Sequence, residues 1–138
     1  MKRKYFILIF LFIVLCGVGV GFYLFNKPSP HASSIKPDYT LSTADLAKAF
    51  ETNETQANKT YAGKVIQVSG KVTDLITDKQ GLVTIQLEGT PGSSVSCIFE
   101  KDPGQLISKG DSITLKGFCA GFDDLFGEVK MHSCGFAK

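Results

Sequence analysis

From Lys64 to Ile76 the chain reads KVIQVSGKVTDLI, and this stretch constrains the fold more than any other. Val65, Val68 and Val72 carry apolar side chains with polar residues between them, and a glycine stands at position 70. The pattern predicts one long strand that bends or bulges at Gly70. Downstream the period stays at two. Thr77–Gly81 reads as a turn, and Leu82–Glu88 as a strand with Val83, Ile85 and Leu87 on one face and Thr84, Gln86 and Glu88 on the other. Gly89-Thr90-Pro91-Gly92 is a second turn. Val95–Glu100 follows, with Val95, Cys97 and Phe99 inward. After an irregular stretch, Ser112–Cys119 is a fourth strand with Ile113 and Leu115 inward. Gly121–Phe126 is the last loop and Gly127–Cys134 the last strand.

Five strands, the first long and bent, with an irregular segment between the third and fourth, fit a small Greek-key barrel of OB type. In such a barrel the long first strand pairs in both halves of the sheet. Upstream, Leu41–Asn58 reads as one helix covering an end of the barrel. Ser42 and Asp45 form its capping box, and Leu46, Phe50, Ala57 and Tyr61 lie near one face. Asn26–Tyr39 reads as a linker, with Pro28, Pro30, Pro37 and the solvated His31. The expected architecture is mainly β: a five-stranded OB-fold Greek-key barrel with an N-terminal capping helix, preceded by a single transmembrane helix.

That last element rests on residues 5–25, which are 21 uncharged residues. At ~1.5 Å per residue they cross a ~30 Å hydrocarbon core. Lys2, Arg3 and Lys4 precede the run. The positive-inside rule then predicts a cytoplasmic N-terminus and an extracytoplasmic domain. The expected organisation is 1–4 cytoplasmic, 5–25 signal anchor, 26–40 linker and 41–138 OB domain, in a bacterial inner membrane. A cleaved signal and a lipoprotein are the alternatives. The apolar run is long for the first, and Cys16 follows Leu15 within continuing apolar sequence, which disfavours the second.

Charge narrows the partners. From Pro28 to Lys138 there are 11 Lys, no Arg, 8 Asp and 5 Glu, so 11 − 13 = −2. A mildly acidic domain without Arg is poorly suited to phosphates. The outer face of the second and third strands shows Thr84, Gln86, Glu88, Ser96, Ile98 and Glu100, with two acids and no aromatic residue. Nucleic acid is therefore a disfavoured partner, and an envelope protein, an oligosaccharide or a small ligand is expected instead.

The segment Leu41–Cys134 resembles the tRNA-anti-like family of bacterial OB-fold proteins, many of them lipoproteins or membrane-anchored. The resemblance rests on the helix with Leu46 and Phe50, on Tyr61-Ala62-Gly63-Lys64, Val68-Ser69-Gly70-Lys71-Val72 and Val95-Ser96-Cys97-Ile98-Phe99. It continues through Lys109-Gly110-Asp111, Lys116-Gly117-Phe118-Cys119-Ala120-Gly121 and Cys134. It implies the OB fold and an envelope location, largely in Gram-negative bacteria, and no established activity.

Three cysteines fall in the domain, and no CxxC is present. An oxidising compartment favours one disulfide among Cys97, Cys119 and Cys134. Cys119 with Cys134 is the preferred pair, both lying at ends of late strands, although a simple hairpin register would set them at opposite ends. Cys97 alternates with Val95 and Phe99 and reads as a small core residue. A metal- or haem-handling chaperone using Cys97, Cys119, His132 and Cys134 is an alternative function. Zinc-knuckle spacing is missing, however. The periplasmic haem chaperones share the plan of one span and one OB domain, but place a Tyr four residues after the haem-linking His, where this chain has Phe136 after His132. Phe118, Phe122, Asp123, Asp124 and Phe126 form the candidate ligand or partner surface. No catalytic residue, metal ligand or cofactor is assigned, so a non-catalytic binding or assembly module is expected.

Overall fold

A computed structural model describes residues 2–26 and 31–137. Helix α1, Lys2–Phe25, has 24 residues and a mean hydropathy of 2.8 over its most apolar window. It is long and apolar enough to cross a membrane, and none of its side chains is buried in protein.

Strand β2, Val65–Thr77, is the long strand expected from the sequence. Its first half, Val65–Lys71, pairs antiparallel with β5 (Ser112–Asp123), and its second half, from Val72 to Thr77, pairs with β3 (Val83–Glu88). β3 continues into β4 (Ser94–Phe99), β4 runs parallel to β6 (Glu128–Phe136), and β6 pairs antiparallel with β5. The order β2-β3-β4-β6-β5 with β2 returning to β5 closes the barrel. This is the five-stranded OB topology.

The bend differs in place from expectation. Register runs unbroken through Gly70, which faces Ile113, and the bulge lies between Val72 and Asp74, leaving Thr73 as the extra residue. Gly70 has another task. A Cβ there would meet Thr43 Oγ1 at 2.4 Å and Cγ2 at 2.6 Å, so the missing side chain admits the buried Thr43 at the start of the helical cap. The Thr43 hydroxyl donates to the carbonyl of Glu88 and ties the cap to β3.

The single helix expected over Leu41–Asn58 is three elements. β1 (Tyr39–Ser42) adds to β2 in parallel, Tyr39 opposite Ile66. Helix α2 (Thr43–Thr52) starts at Ser42, whose hydroxyl oxygen accepts from the Asp45 amide at 3.1 Å, as its capping box predicts. The helix breaks at Asn53, with φ −157° and ψ 89°, and the Asn53 side chain caps α3 (Glu54–Tyr61) by accepting from the Gln56 amide at 3.0 Å. Asn is a strong N-cap residue, so it restarts a helix as readily as it ends one. Leu46, Phe50 and Ala57 turn inward and plug one barrel end above Ile66, Val68, Leu87, Val95 and Val129.

The expected linker is also shorter. Lys27–Pro30 lie outside the described residues, but Ala32–Ser34 form a 3-10 turn packed on β5 and β6, with Ala32 fully buried. Gly135 permits this docking, since a Cβ on it would meet Ser33 Cβ at 2.6 Å. The Lys116 ammonium donates to the Ile35 carbonyl at 3.0 Å. Finally, β5 runs on through Gly121 and Phe122 to Asp123, so the last turn is only Asp124–Gly127.

Two substitutions test this packing. Phe50→Ala, which empties a fully buried site, is expected to cost ~3–5 kcal/mol in denaturant unfolding. Gly70→Ala is expected to cost roughly 2 kcal/mol by overpacking, and Thr43→Ala in the same chain to recover part of it. Strictly additive losses would show that the Gly70–Thr43 contact does not matter.

Candidate functional site

Closed registers place the outer face of the barrel in rows. Glu88, Ser94 and Glu128 stand side by side on β3, β4 and β6, and Glu128 faces Asp123 of β5. In the next row Gln86 faces Ser96, which faces Lys130. Further along, Thr84 faces Ile98 on β3 and β4, and His132 faces Phe118 on β6 and β5. Alternation along each strand turns these side chains away from the core.

Lys130 is the hub of the face. Its ammonium donates to Asp123 Oδ2, lies 3.8 Å from Glu128 Oε1, and sits 5.6 Å from the centroid of the Phe126 ring. Gln86 Nε2 reaches Glu128 Oε2 at 3.4 Å. The hydrogen bond from Lys130 holds the Asp123 carboxyl below its ordinary value of 3.8, and Asp123 in turn raises Lys130 above 10.5. The only lysine in these rows is therefore already paired with carboxylates, and the row Glu88, Glu128 and Asp123 leaves the face acidic.

The five residues expected as a partner surface separate into different roles. Asp123 and Phe126 meet at Lys130. Phe126 is 72% exposed and Leu125 90%, so the turn offers an apolar tip, and Asp124 is exposed beside them. Phe122 instead stacks on Phe50 at 6.0 Å and belongs to the junction of barrel and cap. Phe118 stacks on His132 at 5.6 Å and an interplanar angle of 20°. The sequence showed no aromatic residue on the outer face of β3 or β4, and the structure supplies them from the neighbouring strands β5 and β6.

The Cys/His set is not brought to one point. Cys97, Cys119 and Cys134 are buried, whereas His132 is exposed on the outer face. Among the described residues no group of three or more His, Cys, Asp or Glu side chains is placed to hold a metal ion. All four cysteines are free thiols. Cys119 faces Met131 across the β5–β6 ladder, three positions from Cys134, and at ~3.3 Å per residue that offset is ~10 Å, beyond the ~7 Å Cα reach of a disulfide.

With this geometry in view, comparisons with known proteins place the chain. The tRNA_anti-like family model matches residues 1–134. The chain belongs to the tRNA_anti-like family. Among solved structures it is similar to a candidate nucleic acid-binding lipoprotein from Klebsiella pneumoniae, with a TM-score of 0.59 and 19% identity over 81% of this chain and 100% of that one. At that identity the likeness concerns the fold. A comparison with curated proteins finds no match.

The Asp123–Lys130 pair has a defined pH signature. Asp123 has a depressed pKa, so its contribution is complete above the ordinary Asp value and fades as pH falls through the lower folded value. NMR titration of Lys130→Ala is expected to return the Asp123 carboxyl towards 3.8, the ordinary value. An unchanged titration would show that Lys130 does not hold it.

Proposed function

We propose that this protein is a membrane-anchored, non-catalytic binding module at the bacterial cell envelope, with its N-terminus in the cytoplasm and its barrel outside. Its ligand surface is the outer face around Lys130, bounded by the Asp124–Gly127 turn and the Phe118–His132 stack. The partner is a protein segment or an oligosaccharide, a chemistry that packs on exposed aromatic rings and hydrogen-bonds to Gln86 and the carboxylates. The observation that carries this reading is the state of Lys130, the one lysine in those rows among the described residues, already engaged by Asp123 and Glu128. A phosphate chain approaching there meets Glu88, Glu128 and Asp123, and the lysine among them is already paired.

The anchor supports the reading. Lys2, Arg3 and Lys4 open α1, and its remaining 21 residues are uncharged. Only residues 26–31 separate α1 from the segment that docks on the barrel. Six residues and their flanking bonds span ~25 Å at most. An anchored barrel would therefore ride close to the bilayer surface, within reach of partners at the membrane.

A second reading is nucleic-acid binding, favoured by the description of the Klebsiella structure as nucleic acid-binding and by the stacking surface of Phe118, His132 and Phe126. It predicts association with single strands that weakens steeply with salt.

Photocrosslinking in the native envelope tests the leading reading. A photoreactive residue replacing Phe126 is expected to give discrete adducts, and one replacing Lys59 on α3 is not. Identical patterns from both positions would contradict a ligand surface at the turn.

A further inference from the structure

The chain enters the barrel at one end, and the candidate ligand surface lies towards the other. At the cap end Glu88 faces Ser94 and Asp123 faces Glu128. At the opposite end β4 stops at Phe99 and β6 at Phe136, and residues 100–111 lead into β5. His31 shares a cavity there with Phe99, Lys101, Pro103 and Phe136. From His31 the chain climbs towards the cap. Ser33 packs on Gly135, the Ile35 carbonyl accepts from Lys116, and the Asp38 amide donates to the Val65 carbonyl at 2.8 Å. The 9 residues of β6 separate the two ends by ~26 Å of strand, or ~20 Å of barrel height at a tilt of ~40°.

Residues 100–111 form neither helix nor strand, yet they are held from within. Asp102 accepts from the Gly104 amide at 2.9 Å, Asp111 accepts from the Ser108 amide at 2.8 Å, and Glu100 takes the Ser133 hydroxyl. Ile107 packs against the core, and the Gly110 amide donates to the Val72 carbonyl at 2.8 Å. All three carboxylates of the stretch are thus engaged by the protein itself. Leu106, beside the buried anchor Ile107, is 104% exposed, more than any other large apolar side chain among the described residues. Ile76, 47% exposed and opposite Thr84 near the start of β3, adds a second apolar side chain at this end.

We infer that Leu106 is the barrel's contact with the lipid bilayer: residues 100–111 rest on the membrane surface beside the anchor, and the Asp124–Gly127 turn points away from it. The inference rests on the membrane-anchored reading of α1. The span ends at Phe25, and residue 31 follows within ~25 Å. Seating the entry end on the bilayer leaves that tether slack. Seating the cap end would draw it along the ~20 Å height of the barrel, and a stretched chain loses conformational freedom. The exposed Lys101 reaches towards headgroup phosphates while its stem lies along apolar surface. Burial of one Leu side chain favours the seated state on the order of tenfold, which suffices for a domain that its tether already holds at the surface.

The sequence contains no tryptophan, so a single introduced one reports its own depth. Full chains carrying Leu106→Trp, Phe126→Trp or Phe12→Trp are reconstituted in phosphatidylcholine vesicles with brominated acyl chains, which quench tryptophan near the hydrocarbon. Position 12 lies within α1 and is expected to be quenched. The Leu106→Trp chain is expected to lose emission relative to unbrominated vesicles and to shift to the blue, and the Phe126→Trp chain to do neither. Quenching of Phe12→Trp without quenching of Leu106→Trp would overturn the contact and leave the anchor standing. Quenching of Phe126→Trp equal to or above that of Leu106→Trp would overturn the orientation. An unquenched Phe12→Trp would overturn the anchor and the contact with it.

Discussion

Closure of the barrel depends on one strand pairing twice. Val65–Lys71 of β2 bonds to β5, and the remainder, beyond the Thr73 bulge, bonds to β3. A bulge raises local twist and re-aims the strand, which is what passing from one neighbour to the next requires. Without it the sheet would stay open, and Ile66, Val68, Val72, Ile85 and Leu115 would not face a common interior. The helical cap depends on the same strand. Gly70 receives Thr43, and β1 borrows the free edge of β2 at Ile66–Ser69.

The candidate site follows from that closure. Because β6 lies between β4 and β5, Lys130 sits within reach of Asp123 on one side and of the Gln86–Glu128 contact on the other. The β5–β6 turn folds over the same edge. The Ser94 amide donates to the Gly127 carbonyl at 3.1 Å, which ties the turn to the start of β4 and helps keep Phe126 near the lysine. The face is therefore built from side chains far apart in sequence, and its charge state is decided by pairing more than by composition.

Much of the fold was legible in the sequence because it is written in local patterns. Alternation at Val83, Ile85 and Leu87, and at Val95, Cys97 and Phe99, marks strands with one buried face, and Ser42 with Asp45 marks a helix start. What escaped depends on contacts between distant segments. Tyr39–Ser42 is a strand only because β2 offers an edge, and Asn53 breaks the helix because the cap must turn across the barrel end. The bulge at Thr73 and the Phe118–His132 stack both follow from cross-strand register, which no local periodicity encodes. The acidic character of the surface was visible from charge counting, whereas the neutralisation of Lys130 was not.

The proposed module takes a protein segment or an oligosaccharide at its outer face in place of a phosphate chain. A salt titration of single-stranded oligonucleotide binding to the purified, micelle-embedded protein tests it most directly. Weak association with little salt dependence is expected, and no change when Lys130 is replaced by Ala. Tight binding that falls by orders of magnitude between low and physiological salt, and falls further in Lys130→Ala, would contradict it.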